Sequence, residues 1–139
     1  MRRDRFMLDT NAVLFYLKDS PRLPKWMRES ISYNHSGFFV SVLSIIEIVN
    51  KTQSGRVLLT KRLTVDKLVL ELENLGIEVL PYKTSDLFGL FDLPYFRDHA
   101  DPMDRAIFSH AIAQHCILIT TDKEFQRYDK NLQKYLFPI

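Results

Sequence analysis

The chain has 139 residues, 46% of them apolar and 26% charged, with a net charge of +2. That balance fits one globular domain over residues 1–139, able to bury a core without staples, and the small net charge by itself argues for no partner. The single cysteine, Cys116, excludes an internal disulfide; in the apolar run Cys116-Ile117-Leu118-Ile119 it reads as a small buried hydrophobe, and a reducing cytoplasm is the expected compartment.

The basic start Met1-Arg2-Arg3-Asp4-Arg5 leads into apolar residues interrupted at Asp9 and Asn11, so neither a signal-peptide core nor a membrane span is expected. Arg5 to Leu8 predicts a first strand and Asn11 to Lys18 a helix. Residues 22–34 predict a second helix, closed by Asn34-His35-Ser36-Gly37. The β-rich run Phe38-Phe39-Val40-Ser41-Val42 leads into a helix over residues 44–53, followed by Gly55. From Thr64, an N-cap residue, apolar positions recur at Val65, Leu68, Val69, Leu72 and Leu75 before Gly76, which is one face of a helix with its stop. Ile77 to Pro81 is a strand and its end, Met103 to His115 a helix, and Cys116 to Thr120 a strand without polar alternation, as when helices cover both faces of a sheet. The expected class is α/β, a three-layer α/β/α sandwich around a mostly parallel central sheet.

Charge is unevenly spread. Residues 51–67 carry Lys51, Arg56, Lys61, Arg62 and Lys67 against Asp66, whereas acids dominate residues 71–104. An acidic metal centre beside a basic nucleic-acid track would give this pattern, and so would solvated helix faces.

Ligands of open parallel sheets bind beyond the carboxyl ends of the strands. Leu8-Asp9-Thr10-Asn11 puts Asp9 at one such end and Thr120-Thr121-Asp122 puts Asp122 at another, although either acid alone also reads as a helix cap. Glu47 lies among Val42, Leu43, Ile45, Ile46, Ile48 and Val49, where a free carboxylate is costly; Ser44-Ile45-Ile46-Glu47 also spells a capping box. In His99-Ala100-Asp101-Pro102-Met103-Asp104-Arg105, capping needs one acid: Asp101 is the capping residue and a candidate for a supporting part at the site, and Asp104 is the candidate ligand. The four carboxylates are expected to converge on one pocket. Carboxylate oxygens without cysteines or paired histidines favour Mg²⁺ or Mn²⁺ over zinc, and such a cation suits phosphodiester hydrolysis.

Those four segments resemble the ordered motifs of PIN-domain nucleases, and the match runs almost the whole chain. Glu47-Ile48 followed by Lys51 and Gly55-Arg56 is similar to the VapC-like toxin branch. The resemblance implies a Mg²⁺- or Mn²⁺-dependent endoribonuclease acting on RNA, a homodimer and an antitoxin partner. It places the acids on Asp9, Glu47, Asp104 and Asp122, with Thr10, Asn11 and Thr121 orienting ligands or water. Arg105 and Lys123 are candidates for phosphate contacts. Related sequences often carry an aromatic residue where this chain has Ile46 and a histidine where it has Asn11. His35, His110 and His115 lack metal-ligand spacing and read as surface or helix-face residues; Phe88, Phe91, Tyr95 and Phe96 read as core or dimer packing. Two other readings stand beside the nuclease: a non-catalytic RNA-binding or regulatory module, and a phosphatase with an aspartyl nucleophile. The phosphatase usually needs a second Asp two residues after the first, where this chain has Asn11.

Overall fold

The structure is a computed structural model that describes residues 4–33, 37–57, 59, 63–98 and 101–139. The expected closure at Asn34, His35 and Ser36, the basic residues Lys61 and Arg62, and His99-Ala100 lie outside the described residues. Five short strands, β1 (Phe6–Leu8), β2 (Phe38–Ser41), β3 (Ile77–Leu80), β4 (Ile117–Thr120) and β5 (Leu136–Pro138), form one sheet in the order β3-β2-β1-β4-β5. Every pairing is parallel, with Phe6 in register with both Phe38 and Ile117.

Side chains alternate across a strand, so each strand feeds two cores. Leu8, Val40, Ile77 and Ile119 face a core shared with helices α1 (Thr10–Leu17), α2 (Lys25–Ser32), α3 (Val42–Gln53) and α4 (Val65–Asn74). Met7, Phe39, Leu80 and Leu118 face the other, packed by Ile107, Phe108 and Ala111 of α5 (Pro102–Ala113) and by Phe125 and Tyr128. Helices therefore cover both faces, the expected α/β architecture. Cys116 is fully buried in the second core, and burial pushes its thiol above the ordinary value despite the opposing Arg5 charge.

The second helix is shorter than its pattern predicts because Pro24 occupies its N-cap position and offers no side-chain cap. The C-terminal helix α6 (Lys130–Gln133) and strand β5 were not expected: each is a single turn or a three-residue run, too short to show a period. No helix of the described residues is long and apolar enough to cross a membrane.

The order of the strands matters most for the site. From β1 the chain moves outward to β2 and β3, then returns to the opposite side of β1 to lay down β4. The direction of winding thus reverses between β1 and β4, which opens a crevice at their carboxyl ends.

Candidate active site

Asp9 and Asp122 sit at that crevice. Asp9 caps α1: its Oδ1 accepts from the Ala12 amide at 2.7 Å, while its Oδ2 accepts from the Thr121 amide at 3.0 Å, across to the end of β4. Burial raises its carboxyl above the ordinary range; those two amides and the Thr120 hydroxyl pull it down, the Glu47 charge pushes it up, and the net shift is upward. Asp122 caps the 3₁₀ turn Lys123–Arg127 through the Glu124 amide at 2.9 Å, and its own amide donates to the Thr120 hydroxyl at 3.0 Å. The capping alternative for both acids is therefore real. It does not exhaust them, because a carboxylate has about four lone-pair sites and an amide takes one.

Glu47 resolves differently. The N-cap of α3 is Ser41, whose hydroxyl accepts from the Leu43 amide at 3.1 Å, so the helix begins two residues before the predicted start and Ser44 is not a cap. Glu47 lies well inside the helix and accepts instead from the Thr10 hydroxyl at 2.7 Å. Asp101 caps α5 as expected, through the amides of Met103 at 2.8 Å and Asp104 at 3.4 Å, with Pro102 at the first position. Asp104 follows in the first turn, and burial together with the charges of Asp122 and Asp104 raises the Tyr128 phenol, against the lowering effect of Arg105.

All four acids, with Asp101, line one cavity of about 410 Å³. Thr10, Asn11, Thr120 and Thr121 share it, so the metal-ligating atoms of its described lining are oxygens, with no histidine or cysteine among those lining residues. Among the described residues no three acidic, histidine or cysteine side chains come close enough to hold one metal ion. The four acids thus share one pocket, without three of them gathered tightly enough in the described residues to hold an ion between them. A larger groove of about 560 Å³, lined by Val49, Val57, Leu63 and Leu68 among others, has no titratable side chain in its described lining.

The profile of the PIN domain family matches residues 6–131. The chain belongs to the PIN domain family. Two similar solved structures share its fold. The crystal structure of DNA-bound VapBC from Salmonella typhimurium matches at 24% identity with a TM-score of 0.61, covering 90% of this chain and 92% of that one. VapBC2 from Rickettsia felis bound to a promoter DNA fragment matches at 19% identity with a TM-score of 0.61, covering 88% and 91%. No curated protein matches closely enough to carry an assignment.

Two cations of this PIN domain line the acid cavity and were not among the predicted site residues: Lys51 and Arg56. Lys51 was legible, since it lies four residues after Glu47 and hence on the same helix face. Asn11 links the two sides of the cavity, accepting from Lys51 Nζ at 3.3 Å and donating to the Thr121 hydroxyl at 3.1 Å. The predicted phosphate contacts fare otherwise. Arg105 donates to the carbonyls of Leu90 at 3.3 Å and Leu93 at 3.1 Å and lies over the Tyr95 ring, so its guanidinium fastens a neighbouring turn. Lys123 is exposed, and neither residue is among the cavity lining.

His110 is fully buried rather than on a surface. Its Nδ1 is 2.8 Å from the Ser41 hydroxyl, its Nε2 is 3.6 Å from Asp86, and the Tyr82 ring stands against it edge-on. Burial lowers its pKa, outweighing the raising effects of Asp86 and the Pro81 carbonyl. His115 is exposed and ends α5 in the left-handed conformation, with φ of 57°. Phe96 stacks on Tyr128, whereas Phe88, Phe91 and Tyr95 are exposed.

Proposed function

We propose that this PIN domain is a metal-dependent endoribonuclease and the toxin of a toxin–antitoxin pair. The observation that carries this reading is the acid cavity at the reversal of sheet winding, where Asp9, Glu47, Asp104 and Asp122 arrive from four separate segments. The likeness to VapBC structures supports the toxin role and an antitoxin partner.

The oxygen donors of the described lining fit a hard divalent cation, Mg²⁺ or Mn²⁺, which keeps several waters and takes one or two carboxylates directly. Of Asp9, Glu47, Asp104 and Asp122, one or two would hold it directly and the others through its waters. When bound, such a cation supplies charge neutralisation and a more acidic water for attack on a phosphodiester. The chain's own groups do the positioning: Thr10 fixes one Glu47 oxygen, the Thr121 and Ala12 amides fix both oxygens of Asp9, and Asn11 ties the β4 exit to α3.

The test is cleavage of a single-stranded RNA with Mg²⁺, with Mn²⁺ and with EDTA. Cleavage only with the cation, lost in Asp104→Asn and Asp9→Asn, supports the reading. The spacing of the acids favours one alternative, a non-catalytic RNA-binding module, which predicts RNA binding without cleavage under every condition.

A further inference from the structure

Five carboxylates of the described residues line the cavity, and a polyanionic strand approaching them meets repulsion unless cations receive it. We propose that Lys51 and Arg56 form a phosphate clamp on one wall of the cavity, gripping the RNA backbone beside the bond to be cut; this rests on the nuclease reading above.

Three observations place the clamp on these two residues. First, they are the cations in the described lining, and the backbone brings them to one wall: the Lys51 carbonyl accepts from both the Arg56 amide at 3.0 Å and the Val57 amide at 3.2 Å. That reversal passes through Gly55 at φ of 78°, a left-handed conformation open to glycine, so Arg56 returns beside the last turn of α3. Second, among the described residues neither cation pairs with a carboxylate. Lys51 bonds the neutral Asn11 amide oxygen, and Arg56 bonds the Ser54 hydroxyl at 3.2 Å. An ammonium has three donors and a guanidinium five, so most of their capacity is open to phosphate oxygens. Arg127, by contrast, is spent on Asp98 and Glu124, and Arg105 on backbone carbonyls. Third, Asn11 holds the Lys51 ammonium in place from the β4 side, which orders one half of the clamp before a ligand arrives.

The competing account is that the two cations only offset the carboxylates. Steady-state cleavage of a single-stranded RNA with Mn²⁺ separates the two, using Lys51→Gln, Arg56→Gln, the double variant, and Lys51→Arg as a charge-keeping check on folding. For the clamp, each Gln variant raises KM about three- to tenfold and lowers the slope of log(kcat/KM) against log salt by about 0.7. The Mn²⁺-induced melting shift stays, Lys51→Arg stays near wild type, and Lys25→Gln, a surface control, changes nothing. RNA affinity in EDTA, read by fluorescence anisotropy, falls in the same order. Unchanged KM, salt slope and RNA affinity would overturn the clamp, as would a lost Mn²⁺ shift with KM intact. If wild type fails to cleave or to respond to Mn²⁺, the nuclease reading fails instead, and the anisotropy series still decides whether the two cations bind phosphate.

Discussion

The Thr10 hydroxyl donates to Glu47 Oε1 at 2.7 Å, joining the first residue of α1 to the interior of α3. Thr10 is buried, so Thr10→Val keeps the shape and removes the donor. Because Glu47 is half-buried and can recover some hydration, the expected loss is about 1 kcal/mol by urea unfolding, below the usual 1.5–3 kcal/mol or so for bonds to charged groups. Cleavage should fall further than that loss explains, and Thr10→Ser should restore it. Equal behaviour of the two variants would deny the bond an orienting role.

Asp104→Asn separates a metal ligand from a structural acid. As a ligand held near other carboxylates, its loss relieves repulsion, so stability without metal stays level or rises while cleavage is abolished. Wild type should gain about 2.7 kcal/mol at a hundredfold excess of Mg²⁺ over its Kd, and the variant should lose most of that gain. Wild-type cleavage with a full Mg²⁺ shift in the variant removes Asp104 from the ligand set.

Arg105→Gln tests whether this residue supports the turn at residues 90–93 or meets RNA. With its guanidinium bonded to the Leu90 and Leu93 carbonyls, the expected cost is about 1–3 kcal/mol of stability. RNA affinity of the folded protein should hold. A reduced salt dependence at unchanged stability would return Arg105 to the phosphate-contact role its place beside Asp104 suggested.

The buried His110 predicts a pH window. Its pKa is lowered from 6.5, so the folded state binds fewer protons than the unfolded state between the two values. Its contribution is complete above pH 6.5 and declines as pH falls through the folded value. Asp86 acts at lower pH: burial raises its carboxyl, but the Lys83 amide, Gln114, and the charges of His110 and Lys83 outweigh burial and set it below 3.8. Its contribution is present above 3.8 and lost as pH falls through that lowered value. Denaturant melts of metal-free protein from pH 7.5 to 5 should show declining stability in wild type and a flatter profile in His110→Gln. Matching slopes would exclude His110 as the source.

A homodimer is expected to use the exposed aromatic surface of residues 88–95. Phe91 is 103% exposed and Phe88 76%, unusual for phenylalanines without a covering partner. Light scattering at micromolar concentration should give a dimer for wild type and a shift toward monomer for Phe91→Lys. A monomeric wild type contradicts the prediction.

Asp9 and Asp122 were legible because each marks a strand giving way to a helical turn, and a parallel sheet gathers such junctions at one edge. Glu47 was legible as a carboxylate in apolar company. Its alternative role as a cap fell because Ser41, not Ser44, starts the helix, a choice of two residues that periodicity does not resolve. Arg56 needed the Gly55 reversal to reach the cavity. Arg105 is outside the described cavity lining because neighbours in a helix point about 100° apart, so adjacency to Asp104 does not bring it to the same wall. The burial of His110 is not legible in the sequence because its partners, Ser41, Tyr82 and Asp86, come from distant segments.

The outer margin of β5, the last strand in the sheet order, restricts how copies of this chain can associate. Within β5 the residues alternate in direction: the Tyr135 carbonyl and the Ile139 amide both bond β4, at 2.7 and 2.9 Å, so Leu136 and Pro138 turn outward. Proline has no amide hydrogen, which leaves Leu136 as the outward donor of this strand. A strand approaching from another molecule would find too few donors to extend the sheet, and end-to-end growth into β-stacked aggregates is disfavoured on this side. Along that margin, self-association is steered away from strand addition and toward contacts between side chains.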